Sequence, residues 1–176
     1  DLIILNSCRG KLTECRLKRR HETALQSGVD LRTFIIGRYV AADLLSQAEH
    51  DELASAILVT TSSELAVSVS EWVDRFTQKL SRKAIIEKSL ENYGCIFVAE
   101  SMEQAIQTAN DIASEHLEIL TRNPFDTMTY IKNAGAIFLG EYSSEPLGDY
   151  FAGPNHILPT NGTAKFFSPV NIDDFI

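Results

Sequence analysis

The sequence predicts an α/β fold in which a Rossmann-like parallel sheet is flanked by helices. Short apolar runs recur along the chain, and stretches with the apolar spacing of amphipathic helices separate them. Strands and helices that alternate in this way are typical of βαβ units, whose strands lie parallel in one sheet. The runs expected to form strands are 56–61, 95–99, 117–120 and 136–139.

The intervening helices can be placed by apolar spacing and by capping residues. Residues 41–54 and 82–94 have the spacing of helices. Thr61 and Glu64 have the spacing of a capping box, which predicts the start of another helix between these two. A later helix is expected at 123–135, because a proline near its start suits the first turn of a helix.

The first 38 residues differ from the rest in charge and pattern. Residues 1–38 hold eight Lys/Arg and four Asp/Glu, a net of +4, whereas 39–176 hold eight and twenty, a net of −12. The runs 2–5 and 33–36 could be short strands. The basic stretch 9–20 fits a solvated helix, a disordered segment or a basic binding arm. We therefore expect a basic, poorly ordered N-terminal segment that ends near residue 38, followed by an α/β domain.

The composition favours a cytoplasmic protein that binds neither nucleic acid nor membranes. Apolar residues make up 44% of the chain and charged residues 23%, as in ordinary globular proteins. The acidic body lacks the cationic surface that phosphate binding needs, and no apolar run approaches the roughly 20 residues that span a bilayer. The three cysteines are an odd, sparse set, which favours reduced thiols.

Two pairs of neighbouring polar residues could do chemistry. Gln47 and His50 lie three residues apart in a predicted helix, so both side chains could bind one ion. Glu115 and His116 stand where a helix gives way to a strand, and a carboxylate beside an imidazole can supply two acid–base groups near neutral pH. On spacing alone, a surface histidine and an ion pair at a helix end explain these pairs more simply.

A third candidate is the loop at 148–163, which is rich in Gly and Pro and contains Asp149, Asn155 and His156. Such loops often carry function, although a structural loop is equally compatible with this composition. Together the three places offer nitrogen and oxygen ligands of the kind that zinc accepts, without cysteine. This mixture favours an open metal site with room for a substrate atom over a closed structural one. No GxGxxG follows any expected strand, so the sequence shows no dinucleotide fingerprint.

Four stretches of the sequence resemble the L-histidinol dehydrogenase family: AADLLSQAEHD, ASEHLEI, NAGAIFLGEY and LGDYFAGPNHILPTNGTAKF. They occur in that family's order and spacing, and the resemblance covers residues 39–176 but not 1–38. It implies an enzyme of L-histidine biosynthesis that depends on zinc and acts as a homodimer. Such an enzyme oxidises L-histidinol through L-histidinaldehyde to L-histidine in two NAD-dependent steps.

The resemblance also assigns roles to particular residues. It implies that Gln47, His50 and Asp149 are zinc ligands that also contact the substrate. It implies that Glu115 and His116 are the catalytic acid–base pair and that His156 is a further substrate contact. The imidazole of the pair would accept the alcohol proton as hydride leaves for NAD. The carboxylate of the pair would activate the water that hydrates the aldehyde.

Three departures from the family lead us to expect an inactive fragment, an incomplete copy of a larger multidomain fold. The family chain is more than twice as long, and its N-terminal part carries the NAD contacts. The family also has a C-terminal tail that brings the last zinc ligand, a histidine, and a substrate-binding glutamate from the partner subunit. Its Gly-Pro-Ser segment has no counterpart in 1–38, which a frameshift or gene disruption would explain. The alternative is a non-enzymatic remnant domain with at most weak metal binding.

Overall fold

The computed structural model describes residues 1–7 and 30–176. Within these residues, a five-stranded sheet in the order β3-β2-β1-β4-β5 carries helices on both faces. The strands are β1 Leu2–Ser7, β2 Ser55–Thr60, β3 Cys95–Val98, β4 His116–Leu120 and β5 Ala136–Leu139. The four strands predicted from apolar runs are confirmed and lie in this one sheet.

The sheet is mixed, because its central strand runs against the others. β2 pairs with β3 and β4 with β5 in parallel, as expected, but β1 lies between β2 and β4 and is antiparallel to both. The α/β class with flanking helices is confirmed, whereas an all-parallel sheet is not. An apolar run such as 2–5 marks a strand buried on both faces, but it does not encode the direction of that strand.

The helices of the described residues are α1 Leu31–Ala48, α2 Ser63–Thr77, α3 Lys83–Tyr93, α4 Met102–Ile112, α5 Pro124–Met128 and α6 Glu145–Leu147. The expectation of a strand at 33–36 was wrong, because these residues belong to α1. The carboxylate of Asp30 caps that helix by accepting hydrogen bonds from the backbone N–H groups of Arg32 and Thr33. The charge boundary expected at residue 38 therefore falls inside a continuous helix.

Three other helix boundaries differ from the predicted ones. The helix expected at 41–54 ends at Ala48, so His50 lies beyond it and does not share a helix with Gln47. The cap of α2 is Ser62 rather than Thr61, since the Ser62 hydroxyl accepts the backbone N–H of Leu65 at 3.1 Å. The helix predicted at 123–135 ends at Met128. After it, the Asn110 side chain donates to the Tyr130 carbonyl and accepts from the Lys132 N–H, so these backbone groups find partners outside a helix.

Apolar side chains form one cluster on each face of the sheet. α1, α2 and α3 pack on one face, and α4 and α5 pack on the other. Along β4, Leu117 and Ile119 point to the α4 face, so His116 and Glu118 point to the α1 face. This alternation places two polar side chains of one strand beneath α1.

Cys95 is disulfide-bonded, which contradicts the expectation of reduced thiols at this position. Spacing along the chain could not show this, because a disulfide depends on how closely two Cα atoms approach in the fold. The stretch 9–20 lies outside the described residues. Within the described part of the chain, no helix combines the length and hydropathy needed to cross a membrane.

Candidate active site

The candidate site forms where β4 begins and where the chain returns to the sheet after β5. His116 starts β4, Glu145 starts α6, and Asp149 lies in the π-helical turn Gly148–Ala152. One ligand atom from each of these three side chains lies within 4.8 Å of the others. The His116 Nε2 atom is 3.5 Å from Asp149 Oδ2. The fold thus brings a residue predicted for acid–base chemistry next to one predicted as a metal ligand.

The imidazole of His116 is buried and lacks hydrogen bonds. His116 is only 5% exposed, and within the described residues neither ring nitrogen has a hydrogen-bond partner. A buried nitrogen without a partner is costly unless a ligand, an ion or a proton transfer uses it. The ring also lies 6.0 Å, centroid to centroid, from Phe138, which shields one side of it. These features suit a base that meets its substrate away from bulk water.

The carboxyl groups of Glu145 and Asp149 lie beside this imidazole, and burial raises the pKa of Glu145 and of two acids linked to it by charge. Burial and the Asp149 carboxylate raise the pKa of Glu145 to about 7, with further contributions from Asp43 and Glu115. Burial raises the pKa of Glu118 to about 8, and the negative charges of Asp43 and Glu145 add to this effect. Burial alone raises the pKa of Asp43 to about 6. The site therefore collects carboxyl groups that exchange protons near neutral pH, and a bound cation would favour their ionised forms.

Three of these acids were missed by the sequence prediction: Asp43, Glu118 and Glu145. Glu118 carried a usable signal, because a residue two positions after His116 on a strand must share its face. Asp43 likewise lies one helical turn before Gln47, so both side chains project from the same side of α1. Glu145 carried no such signal, since a glutamate in a loop is ordinarily solvated.

Gln47 and His50, the other two predicted zinc ligands, differ in environment. Gln47 is only 5% exposed, and its Nε2 atom has no hydrogen-bond partner in the described structure. His50 follows the end of α1 and is exposed, and its backbone carbonyl accepts a hydrogen bond from Arg82 at 3.3 Å. His50 is not part of the group formed by His116, Glu145 and Asp149. The convergence of Gln47, His50 and Asp149 on one ion remains a prediction.

The remaining predicted residues are Glu115 and His156. Glu115 is buried directly before β4, and its backbone carbonyl accepts the Ala136 N–H at 2.8 Å, so β5 fixes its backbone. His156 is exposed, and hydrogen bonds fix the backbone of the residue that follows it in the loop. The Ile157 N–H donates to the Asn155 side chain at 2.9 Å, and the Ile157 carbonyl accepts the Val170 N–H at 3.1 Å. A substrate contact by His156 remains a prediction.

Gly148 lets the turn that carries Asp149 lie flat against the sheet. A Cβ atom added at this glycine would lie 2.3 Å from Cε1 of Phe138, far inside van der Waals contact. Phe138 is the neighbour of Glu118 in the β4–β5 register, so this contact seats the turn over the α1 face of the sheet. Any side chain at position 148 must therefore displace either the ring or the turn.

We expect Gly148→Ala to lower the free energy of unfolding by about 1–3 kcal/mol, the usual cost of overpacking. Urea denaturation at pH 7 measures the change. Phe138→Leu in the same chain opens space for the new methyl group, so the double variant should lose less than the two single variants together. Additive losses would show that the glycine matters for some reason other than its contact with the ring.

Comparisons with known proteins agree with the resemblance seen in the sequence. A sequence model of the family described as "Histidinol dehydrogenase" matches residues 35–176. The histidinol dehydrogenase of Caldanaerobacter subterraneus is 60% identical over 139 residues, which are 79% of this chain and 32% of that protein. That of Bacillus subtilis is 60% identical over 136 residues, 77% of this chain and 32% of that protein.

A solved structure gives the same result. The crystal structure of histidinol dehydrogenase from Elizabethkingia anophelis superimposes with a TM-score of 0.76 at 40% identity, covering 79% of this chain and 32% of that one. The chain therefore spans about a third of the length of the relatives that it matches. The family match begins at residue 35, inside α1, a few residues before the start inferred from motifs.

Proposed function

Because the chain belongs to the histidinol dehydrogenase family, we propose that its α/β unit carries the acid–base part of a centre that oxidises L-histidinol to L-histidine. The observation that carries this proposal is the buried imidazole of His116, whose nitrogens have no hydrogen-bond partner among residues 1–7 and 30–176 and whose Nε2 lies 3.5 Å from Asp149 Oδ2. A histidine in such surroundings is suited to take up a proton and to hold it beside a carboxylate.

In the first oxidation, a ring nitrogen of His116 would accept the hydroxyl proton of the substrate as the carbon that bears this hydroxyl loses a hydride, and NAD would supply the hydride acceptor. The nearby carboxylates of Asp149 and Glu145 stabilise the imidazolium that results. In the second step, Glu115 takes a proton from the water that adds to the aldehyde. Its backbone is fixed by the hydrogen bond to Ala136, so its carboxyl group starts from a defined position next to the imidazole.

Zinc fits the residues that surround this pair. Gln47 is buried and Asp149 is half-buried, and an amide oxygen, a carboxylate oxygen and an imidazole nitrogen are all acceptable zinc ligands. We propose that Gln47, His50 and Asp149 hold the ion. When bound, zinc supplies a fixed positive charge that orients the nitrogen atoms of the substrate.

Three single variants test the zinc assignment by titration of Zn²⁺ or Co²⁺ into the chain. We expect Asp149→Asn and His50→Ala to weaken binding about tenfold or more, because each removes a ligand, and Glu145→Gln to change it much less. Lys88→Gln, on the exposed surface of α3, serves as the control. If Glu145→Gln weakens binding strongly and His50→Ala does not, the ion belongs to the group of His116, Glu145 and Asp149 instead.

The remaining parts of the proposal concern the cofactor, the assembly and the location. We propose that NAD is held by segments of the family enzyme outside the third that this chain matches, and that the complete enzyme is a cytoplasmic homodimer, as the resemblance implies. The alternative is a non-enzymatic α/β domain with weak metal binding. The 176 residues span about a third of the relatives' length, and we expect these residues assayed by themselves to be inactive.

A further inference from the structure

We propose that Glu118 is a positioning residue, which holds the turn carrying Glu145 and Asp149 against His116. Its side-chain Oε1 accepts the backbone N–H of Glu145 at 3.3 Å, across 27 positions of the sequence. Glu118 is only 2% exposed and shares a strand face with His116. The role of this turn in holding catalytic groups rests on the proposed function, whereas the hydrogen bond is a feature of the structure and does not depend on that function.

A glutamate is an unfavourable residue for the buried, largely apolar surroundings of position 118. Its register partners on the two adjacent strands are Ile4 of β1 and Phe138 of β5, so a β-branched apolar residue would suit this position better. A buried carboxyl group is costly unless it makes hydrogen bonds. The Glu145 N–H supplies one, and this N–H opens α6, where it has no partner within the helix.

The hydrogen bond between Glu118 and the Glu145 N–H lies close to the candidate site along both segments of the chain. Glu118 and His116 are separated by one residue of β4, while Glu145 and Asp149 are separated by one short turn. A bond between Glu118 and Glu145 therefore sets the distance between the imidazole and the Asp149 carboxylate. Gly148 also packs the middle of the same turn against Phe138. Loss of the Glu118 hydrogen bond should therefore loosen the end of the turn that carries Glu145.

Three variants distinguish the effect of losing this hydrogen bond from the effects of charge and of side-chain volume. Glu118→Gln keeps an acceptor oxygen at the same reach, Glu118→Leu removes it while filling the apolar surroundings, and Asp43→Asn removes a neighbouring charge but not the bond. Amide hydrogen exchange in the metal-free chain reads the Glu145 N–H directly. We expect exchange at Glu145 to quicken about tenfold or more in Glu118→Leu, and to stay within about threefold of the unaltered chain in the other two.

Binding of Co²⁺ by the same chains, followed by its visible absorption, reads the consequence at the site. Glu118→Leu should weaken Co²⁺ binding about tenfold, and Glu118→Gln should restore it, in the range seen when groups that orient ligands are removed. If the unaltered chain binds no Co²⁺, the proposed metal site fails, while the exchange measurement still decides the role of Glu118. An unprotected Glu145 amide in the unaltered chain would overturn the inference even if Glu118→Leu does not fold, as would equal effects of Gln and Leu.

Discussion

A chimaera in which residues 35–176 replace the matching segment of Bacillus subtilis histidinol dehydrogenase should oxidise L-histidinol with NAD, and His116→Asn in it should lower kcat by about 10²–10⁴-fold. The chimaera restores the two thirds of the enzyme that this chain does not span, so the assay depends on the acid–base pair supplied here. Asparagine keeps a polar side chain of similar size but cannot hold the proton, so KM should change far less than kcat.

Two controls accompany that measurement. Glu64→Gln, on the exposed first turn of α2, should leave kcat unchanged. The 176-residue chain assayed alone with L-histidinol, zinc and NAD should give no NADH above background, because positioning the cofactor against the substrate accounts for about 7–11 kcal/mol of such barriers. A folded but inactive chimaera would support the remnant hypothesis. Steady turnover by the chain alone, abolished by His116→Asn, would show that the matched third is sufficient.

The sequence predicted the strands well because each is a short apolar run between recognisable helices. It failed where local pattern and tertiary context disagree. Residues 33–36 are β-branched and aromatic, as in a strand, but the Asp30 cap and the packing of Val40 and Leu44 on the sheet draw them into a helix. The direction of β1 could not be predicted, because it depends on which strands lie beside it.

The candidate site was only partly predictable, for a related reason. Motifs identified Glu115, His116 and Asp149, yet nothing in their spacing showed that His116 would lie within 3.5 Å of Asp149. Acidic residues at ordinary helix and strand positions look like solvated surface until the packing is known. Glu118 and Asp43 become part of the site only because α1 covers the face of the sheet on which β4 presents its polar residues.

The second large effect concerns pH. We expect the metal-free chain to lose stability as the pH rises from about 5 to 8, with Glu118 as a principal cause. In the unfolded chain this carboxyl group ionises near its ordinary pKa of 4.5, whereas burial and the charge of Asp43 raise its pKa in the fold to about 8. Between these values the unfolded chain binds fewer protons than the folded one, so the free energy of unfolding falls with rising pH and levels off above 8.

Glu118→Gln isolates this contribution, because glutamine resembles the protonated acid and does not titrate. Urea denaturation of both chains should give similar stabilities below about pH 4.5, with the variant gaining on the order of a few kcal/mol at pH 8. Taking the difference between the two chains cancels groups that titrate in both. Asp43→Asn removes one cause of the raised pKa, so in that background the gain should be smaller and complete at lower pH. A constant difference between the two chains across this range would mean that Glu118 is already ionised in the folded protein near pH 5. In that case water or a cation must reach its carboxylate beneath α1.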